Sequence, residues 1–183
     1  QYIIAHNMLA PGKRRITKSS GALRHVSKVI CLADVARDAY QQYYNLRQHQ
    51  LQTIHYGIDT QFFHPLAVPV DDAILSIGSS KRDYGTLFAA VDGLKVKLRT
   101  RMASGWNPHN VLGARRIPQN VEVMQRCSFT QLREWYARSR FVVVPLRPTL
   151  EFTAGITSAL EASATGKAVV ATDTPGMREY VRD

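Results

Sequence analysis

The sequence predicts an α/β protein built on doubly wound parallel sheets. Short β-branched runs alternate with amphipathic helical stretches from one end of the chain to the other, which is typical of this class. With 183 residues, of which 45% are hydrophobic, the chain can bury a core. Both observations hold along the whole chain, so the prediction does not depend on one segment.

Eight short apolar segments, bounded by turn residues or charges, are predicted as strands. In chain order they are residues 2–5, 29–32, 51–55, 73–77, 94–98, 121–124, 141–145 and 168–171. Capping residues support several helix starts between them. Ser128 and Gln131 have the spacing of a capping box, Asp34 and Asp83 can cap the helices that follow them, and Thr174 precedes a proline at a first helical position.

The chain carries a net charge of +10 and has a pI near 9.9. An excess of this size favours partners that bear phosphate, and nucleic acid, anionic lipid and sugar nucleotides all qualify. A solvated basic surface that keeps the protein soluble explains the charge equally well. The basic residues lack the interleaved aromatics of a single-strand binder, so nucleic acid is not the preferred partner.

Cysteine spacing and hydropathy bear on the compartment. Cys31 and Cys127 have neither CxxC nor Cys/His ligand spacing, and we interpret them as buried thiols of a reducing cytoplasm. The longest apolar runs, such as residues 141–146, are far shorter than the ~20 residues that a membrane-spanning helix needs, so contact with a membrane would be made from its surface. No side chains have the spacing of a metal site, and neither a metal nor a cofactor is expected.

A turn-rich stretch between residues 56 and 70, with one glycine and two prolines, interrupts the alternation of strands and helices. We therefore place a domain boundary near residue 66. Residues 1–65 would end one domain with its linker, and residues 66–183 would form a second, incomplete domain. Because the sequence begins inside a predicted strand and stops inside a helix-like run, we expect a piece of a longer protein, cut at both ends.

Residues 153–173 predict a helix that begins near Gly155, ends at Gly166 and runs directly into a strand. Small residues at the helix start would let a diphosphate approach the first backbone amides and the positive end of the helix dipole. The candidates for nucleotide binding at this helix start are Thr153, Gly155, Ile156 and Thr157.

Glu161 lies about 9 Å along the same helix from Gly155, at a rise of ~1.5 Å per residue, which is roughly the span from a diphosphate to its ribose. It shares a helix face with Thr157 and Ser158. A carboxylate there can accept hydrogen bonds from both hydroxyl groups of a ribose. A structural ion pair and a solvated glutamate are the alternatives, and the spacing alone does not separate them.

This stretch resembles the signature of the retaining, GT-B-type glycosyltransferases of glycosyltransferase family 4. In that family a Glu-x7-Glu motif leads into an Ala-rich turn, a Gly, a hydrophobic strand and an Asp, as Glu161-Ala-Ser-Ala-Thr-Gly166-Lys-Ala-Val-Val-Ala-Thr-Asp173 does here. Residues 54–65 resemble the hinge between the family's two domains, and residues 73–84 resemble the first strand and phosphate loop of its donor domain. The matches follow the family's order over nearly the whole chain.

The resemblance implies two Rossmann-like domains, the first for the acceptor and the second for the donor. It implies transfer of a sugar from a nucleoside diphosphate sugar to a glycan, lipid or small-molecule acceptor, with retention of configuration. Gly78, Lys81 and Arg82 match the phosphate loop, where Lys81 and Arg82 would stabilise the leaving diphosphate. Glu161 would bind the donor nucleotide. His6 resembles a histidine that faces the sugar site from the acceptor domain in some members.

Three positions require comment against the family's pattern. Thr153 stands where the family has its first motif glutamate, which contacts the donor sugar. Glu151 lies two residues too early to match it, so either a different loop path at Glu151 or selection of another sugar by Thr153 would reconcile the two. Ser79 stands where many members have arginine.

Other functions remain open beside an active glycosyltransferase. They are a basic α/β module that binds nucleic acid, a folded piece without catalytic activity, and another GT-B enzyme such as a sugar-nucleotide epimerase. Because the acceptor half of the cleft is largely missing from the sequence, we expect the 183-residue chain by itself to be inactive.

Overall fold

A computed structural model describes residues 1–6, 8–101, 116–148 and 152–182. The chain divides into two compact units, each with its own sheet. The first unit comprises Gln1–Gly57, Pro148–Ala154 and Asp173–Asp183, and the second comprises Ile58–Arg147 and Gly155–Thr172. The functional boundary expected near residue 66 stays a prediction.

The first unit contains a three-stranded parallel sheet in the order β1-β2-β3. Its strands are β1 (Tyr2–Ile4), β2 (Lys28–Cys31) and β3 (Leu51–Thr53), and its helices are α1 (Pro11–Ser19) and α2 (Asp34–Tyr44), with 3₁₀ turns at Ala22–His25, Gln48–Gln50 and Met177–Glu179. Val29 and Cys31 of the central strand have no exposed surface, and residues of α2 such as Tyr40 pack in the same core.

The second unit contains a five-stranded parallel sheet in the order β6-β5-β4-β7-β8. Its elements are β4 (Ala73–Ile77), α3 (Tyr84–Val91), β5 (Lys97–Arg101), β6 (Val121–Val123), α4 (Phe129–Arg138), β7 (Val142–Val144), α5 (Ile156–Ala164) and β8 (Val169–Ala171). Every residue of β4 is buried, as expected for the central strand of a sheet covered on both faces. The predicted α/β class with parallel sheets is confirmed.

All eight predicted strands are present, and seven of them lie within two residues of their predicted starts and ends. The exception is β5, which was expected at residues 94–98 and runs instead from Lys97 to Arg101. Gly93, at φ +76°, ends the preceding helix, and Leu94 is an exposed turn residue. The strand buries Leu98 and Thr100, while its three basic residues are exposed or partly exposed, and a search for apolar runs does not find this alternation.

Of the predicted helix caps at Ser128, Asp83 and Asp34, the structure confirms two and contradicts one. The Ser128 capping box is confirmed, because its hydroxyl accepts the Gln131 amide, and so is the Asp83 cap, which accepts the Thr86 amide. The Asp34 cap is wrong. Helix α2 begins at Asp34 itself, and the carboxylate of Glu179, also in the first unit, accepts the first amides of the helix.

Strand order in the second unit creates a topological switch. From β4 the chain builds outward through β5 and β6 on one side, and then returns to place β7 and β8 on the other. The loops that leave β4 and β7 therefore start side by side at the carboxyl edge of the sheet, which is where open α/β sheets bind ligands. Among the described residues, no helix is long and apolar enough to cross a membrane.

Candidate functional site

The loops after β4 and β7 are joined to one another at the carboxyl edge of the second sheet. The Asp83 amide donates to the Pro145 carbonyl at 3.0 Å, and the Arg147 amide donates to the Lys81 carbonyl at 2.9 Å. Between these bonds, Arg82 and Leu146 form an isolated antiparallel bridge. The phosphate loop predicted from the sequence is therefore fixed at the topological switch.

Helix α5 begins against this pair of loops. Gly155 is its N-cap residue, as expected from a helix start near Gly155, and it has φ +83°. Gly166, predicted to end the helix, has φ +75°. A Cβ on Gly155 would lie 2.7 Å from Val144 Cγ1, 3.2 Å from Leu146 Cδ2 and 3.3 Å from Arg82 Nη1. The helix start is thus packed directly on the end of β7, and its first backbone amides are the donors that a helix leaves without intrahelical partners.

Arg82 is a buried cation, with only 3% of its surface exposed. Its Nε and Nη2 donate to the Ile77 carbonyl at 3.2 and 2.9 Å, Nη1 donates to the Ser80 carbonyl at 3.1 Å, and Nη2 also donates to Ser158 Oγ at 3.0 Å. Burial lowers the pKa of Arg82 below its usual value, although a guanidinium stays charged in proteins. No carboxylate pairs with it in the described part of the chain, so its charge is compensated by oxygen dipoles alone.

Two other residues of the loop after β4, Gly78 and Lys81, have positive φ. Gly78, directly after β4, has φ +110°, and a Cβ there would lie 2.6 Å from the Arg82 guanidinium, so the position requires glycine. Lys81 has φ +54°, which is uncommon for a non-glycine residue, and its side chain is exposed. The loop therefore holds one cation inside and presents another to solvent.

Glu161 lies on α5 and is half-buried, and its Oε2 accepts a hydrogen bond of 2.8 Å from the hydroxyl of Tyr136. Tyr136, on α4, has no exposed surface, and its ring packs edge-on against Phe63. Burial raises the pKa of Glu161, and the bond from Tyr136 counteracts part of this shift. Among the described residues no cation pairs with Glu161 and no donor reaches its Oε1, so neither the ion pair nor the plain solvated glutamate considered from the sequence fits.

The structure thus brings most of the predicted donor-site residues into one unit and three of them into direct proximity. Gly78, Arg82 and Gly155 are contiguous through the Arg82 guanidinium. Ile156 is buried and contributes backbone only, whereas Thr157 is exposed at the helix start. Lys81 belongs to the same loop, and Glu161 follows on the same helix.

Two predicted site residues belong to the first unit. His6 is exposed directly after β1, at the carboxyl end of that strand, and Thr153 is half-buried in the turn that precedes Ala154. Their roles toward the donor sugar stay predictions. Glu151, considered as a substitute for the missing motif glutamate, lies outside the described residues.

Sequence reasoning missed two polar side chains that organise the site, Tyr136 and Ser158. In the sequence, Tyr136 is one of the apolar residues in the helical run after the Ser128 capping box, and Ser158 shares a helix face with Glu161. A buried tyrosine needs a partner for its hydroxyl, which is a signal that one exists. Nothing in the sequence indicates that the partner lies 25 residues further along the chain.

One further group of potential metal ligands lies in the first unit. Asp34, His55 and Glu179 place ligand-type atoms within 4.8 Å of one another. Both oxygens of Glu179 accept backbone amides at the start of α2, and one of them also contacts His55 Nε2 at 2.8 Å, while the Asp34 carboxylate pairs with Arg37. Glu179 therefore caps the start of α2, and the other two residues surround it without capping the helix.

Removal of the Tyr136 hydroxyl should destabilise the chain in a pH-dependent way. The bond favours the charged form of Glu161, so its loss should cost about 1.5 to 3 kcal/mol above the pKa of Glu161 and less below it, where the carboxyl is neutral. The measurement is urea unfolding of Tyr136→Phe at about pH 4 and about pH 8.

Glu161→Gln supplies the matched control for this experiment. Its amide oxygen can still accept from Tyr136 but has no charge to lose. In the Glu161→Gln background the cost of Tyr136→Phe should therefore be the same at both pH values. A pH-dependent cost that persists in that background would place the titrating partner elsewhere.

Comparison with known proteins agrees with the fold. The structure is similar to a glycosyltransferase from Rickettsia africae ESF-5, with a TM-score of 0.72 and 15% identity over 100% of this chain and 54% of the other. It is also similar to sucrose-phosphate synthase from Thermosynechococcus elongatus, with a TM-score of 0.68 and 18% identity over 97% of this chain and 51% of the other. The chain thus spans about half the length of these structures. No curated protein matches it by sequence.

The chain has an α/β fold with parallel sheets, and this fold matches that of GT-B glycosyltransferases. The family model described as "Glycosyl transferases group 1" matches residues 74–183, which include the whole candidate donor site of the second unit. The chain belongs to the group 1 glycosyltransferase family.

Proposed function

We propose that this chain is the donor-binding part of a retaining glycosyltransferase of family 4. The reaction would transfer a sugar from a nucleoside diphosphate sugar to a glycan, lipid or small-molecule acceptor. Family membership supports sugar transfer in general, and the nucleotide donor and the retained configuration are the parts of the proposal that go beyond it.

The observation that carries the proposal is a buried cation at the topological switch that has no carboxylate partner among the described residues. A buried charge is normally paired, because desolvation costs several kcal/mol. Arg82 has only neutral oxygen partners among the described residues, and its Nη1 lies next to the start of α5. A diphosphate bound at that helix start would supply the missing negative charge, assisted by the helix dipole.

The remaining residues would extend the site in two directions. Lys81, on the solvent side of the same loop, would approach the phosphates from outside, and Glu161 would accept the ribose hydroxyls with its available oxygen. As the sugar departs, negative charge grows on the diphosphate, and fixed cations and amides would stabilise it without reorganisation. This arrangement invokes no metal ion.

Diphosphate binding by Lys81 is testable without turnover, which suits a chain expected to be inactive by itself. Lys81→Ala should weaken the binding of a nucleoside diphosphate by roughly tenfold, equal to about 1.4 kcal/mol. It should leave the binding of the free nucleoside nearly unchanged. The measurement is calorimetry with adenosine, guanosine and uridine diphosphates and their nucleosides, using the pair that binds most tightly.

Lys95→Ala is the matched control. Lys95 is also an exposed lysine of the second unit, so its substitution removes the same charge. Its effect on either ligand should be small. Equal losses of affinity for nucleoside and diphosphate in Lys81→Ala would contradict a role of Lys81 in phosphate binding.

The rival function is a basic module that binds nucleic acid. It would replace the proposal if duplex or single-stranded DNA bound with a steep salt dependence while no nucleoside diphosphate bound.

A further inference from the structure

A groove of about 630 Å³ lies in the first unit, within the range of volumes that small-molecule sites occupy. Its walls come from the end of α1, the 3₁₀ turn Ala22–His25 and the segment between α2 and β3. Five of the side chains that line it are basic, and none is acidic. The basic residues are Lys18, Arg24, His25, Arg47 and His49.

Among the described residues, no carboxylate pairs with the lysine or the arginines of this groove. In the described part of the chain, neither Arg24 nor Arg47 forms an ion pair, and both are exposed. The Lys18 ammonium lies over the ring of Tyr43 at 4.9 Å, and no carboxylate pairs with it among the described residues. Three permanent cations around one concave surface produce a positive potential that favours a multiply charged anion.

The groove is also fixed in shape by a buried side chain. Gln50, with 9% of its surface exposed, donates from Nε2 to the carbonyls of Leu23 and Val26 at 3.4 and 3.0 Å, and its Oε1 accepts the Arg47 amide at 3.2 Å. These bonds tie the turn that carries Arg24 to the segment that carries Arg47. The two guanidinium groups thus project from backbones held together before any ligand arrives, which lowers the entropic cost of binding.

The groove lies at the amino edge of the first sheet. Its lining residues come just before β2 and just before β3, whereas His6 follows β1 at the opposite, carboxyl edge. Ligands of the fold's main reaction are expected at carboxyl edges. The groove is therefore distinct from the edge where the candidate sugar-facing histidine lies.

We propose that this groove binds a phosphate-bearing ligand with more than one negative charge. Arginine guanidinium groups match phosphate oxygens in bidentate geometry, and the imidazoles of His25 and His49 add further hydrogen-bonding groups. The volume exceeds what a single phosphate fills, so the ligand carries either several phosphates or one phosphate on an organic body. A soluble polyphosphate and an anionic lipid headgroup share this chemistry.

The soluble source is tested by calorimetry with inositol hexakisphosphate. Arg24→Gln combined with Arg47→Gln should weaken binding at least roughly tenfold. Lys13→Gln combined with Arg15→Gln removes the same charge from exposed residues of the first unit that do not line the groove, and should change affinity less than about twofold. Because Arg24 and Arg47 belong to the first unit and the candidate phosphate-loop residues belong to the second, a selective loss in the first double variant is independent of the proposed donor site.

The lipid source is tested by sedimentation with phosphatidylcholine vesicles that contain about one tenth phosphatidylinositol 4,5-bisphosphate, whose headgroup carries several phosphate charges. If a headgroup is the ligand, the Arg24 and Arg47 double variant should lose vesicle binding while the Lys13 and Arg15 variant retains it. Selective loss in either assay supports the groove and identifies the source. Absence of binding in both assays, or equal losses in the two double variants, would overturn the proposal.

Discussion

Gly155→Ala is expected to destabilise the second unit strongly. An alanine at φ +83° adopts a left-handed conformation that costs about 1 to 2 kcal/mol. Its methyl group would also lie 2.7 Å from Val144 Cγ1, and overpacking of this kind costs about 1 to 3 kcal/mol. The expected loss in the free energy of unfolding is therefore about 2 to 5 kcal/mol, measured by urea denaturation.

Gly85→Ala in the same unit is the matched control. Gly85 lies in helix α3 without positive φ, and an added Cβ would meet only Asp83 Oδ1 at an ordinary 3.6 Å. Because alanine is the better helix former, this change should be neutral or stabilising by up to about 1 kcal/mol. If both variants unfolded at the wild-type urea concentration, the tight packing of the α5 start on β7 would be refuted.

The fold could be predicted from local pattern because its parallel strands are short and separated by amphipathic helices. All eight strands were found in this way. The β5 error arose because its residues Lys97, Arg99 and Arg101 alternate with buried Leu98 and Thr100. Basic side chains in a strand are compatible with that alternation. A prediction that follows apolar runs instead includes Leu94 and therefore starts the strand three residues too early.

The backbone of the candidate site was also accessible from sequence. Gly155 and Gly166 mark the ends of α5 because both have positive φ, and Asp83 caps α3 as expected. These features depend on residues close together in the chain. The capping of α2 by Glu179, 145 residues from Asp34, depends on tertiary structure and could not be predicted.

The environments of the charged residues were the least predictable part. The sequence predicts Arg82 in a phosphate loop, but it does not indicate that the Ile77 carbonyl and Ser158, 76 residues away, bury the guanidinium. Glu161 likewise acquires its raised pKa from burial and its partner from another helix. Both environments arise from packing of α5 and α4 on the sheet, which no local pattern encodes.

The second large effect is expected at Glu161. Because Tyr136 holds Oε2, the carboxylate is oriented and its Oε1 is available for the donor ribose. Charge-assisted hydrogen bonds contribute about 1.5 to 3 kcal/mol each. Glu161→Ala should therefore weaken the binding of a nucleoside diphosphate at least roughly tenfold. Glu161→Gln, which keeps an acceptor oxygen, should retain part of the affinity.

Loss of affinity in Glu161→Ala has to be separated from loss of structure. The substitution leaves the buried Tyr136 hydroxyl without its acceptor, which destabilises the chain by about 1 to 3 kcal/mol. Urea unfolding of the same variant establishes whether it is folded under the conditions of the binding experiment. A comparison of two ligands on each protein removes any remaining contribution from stability, because both ligands meet the same folded fraction.

The most direct measurement is calorimetry with a nucleoside diphosphate and its 2′,3′-dideoxy analogue on wild type and on Glu161→Ala. Ribose binding by Glu161 predicts that wild type prefers the ribose ligand by at least roughly tenfold and that the two ligands become nearly equal in the variant. Equal affinity of wild type for both ligands would contradict it, and Glu161 would then be a structural partner of Tyr136 alone.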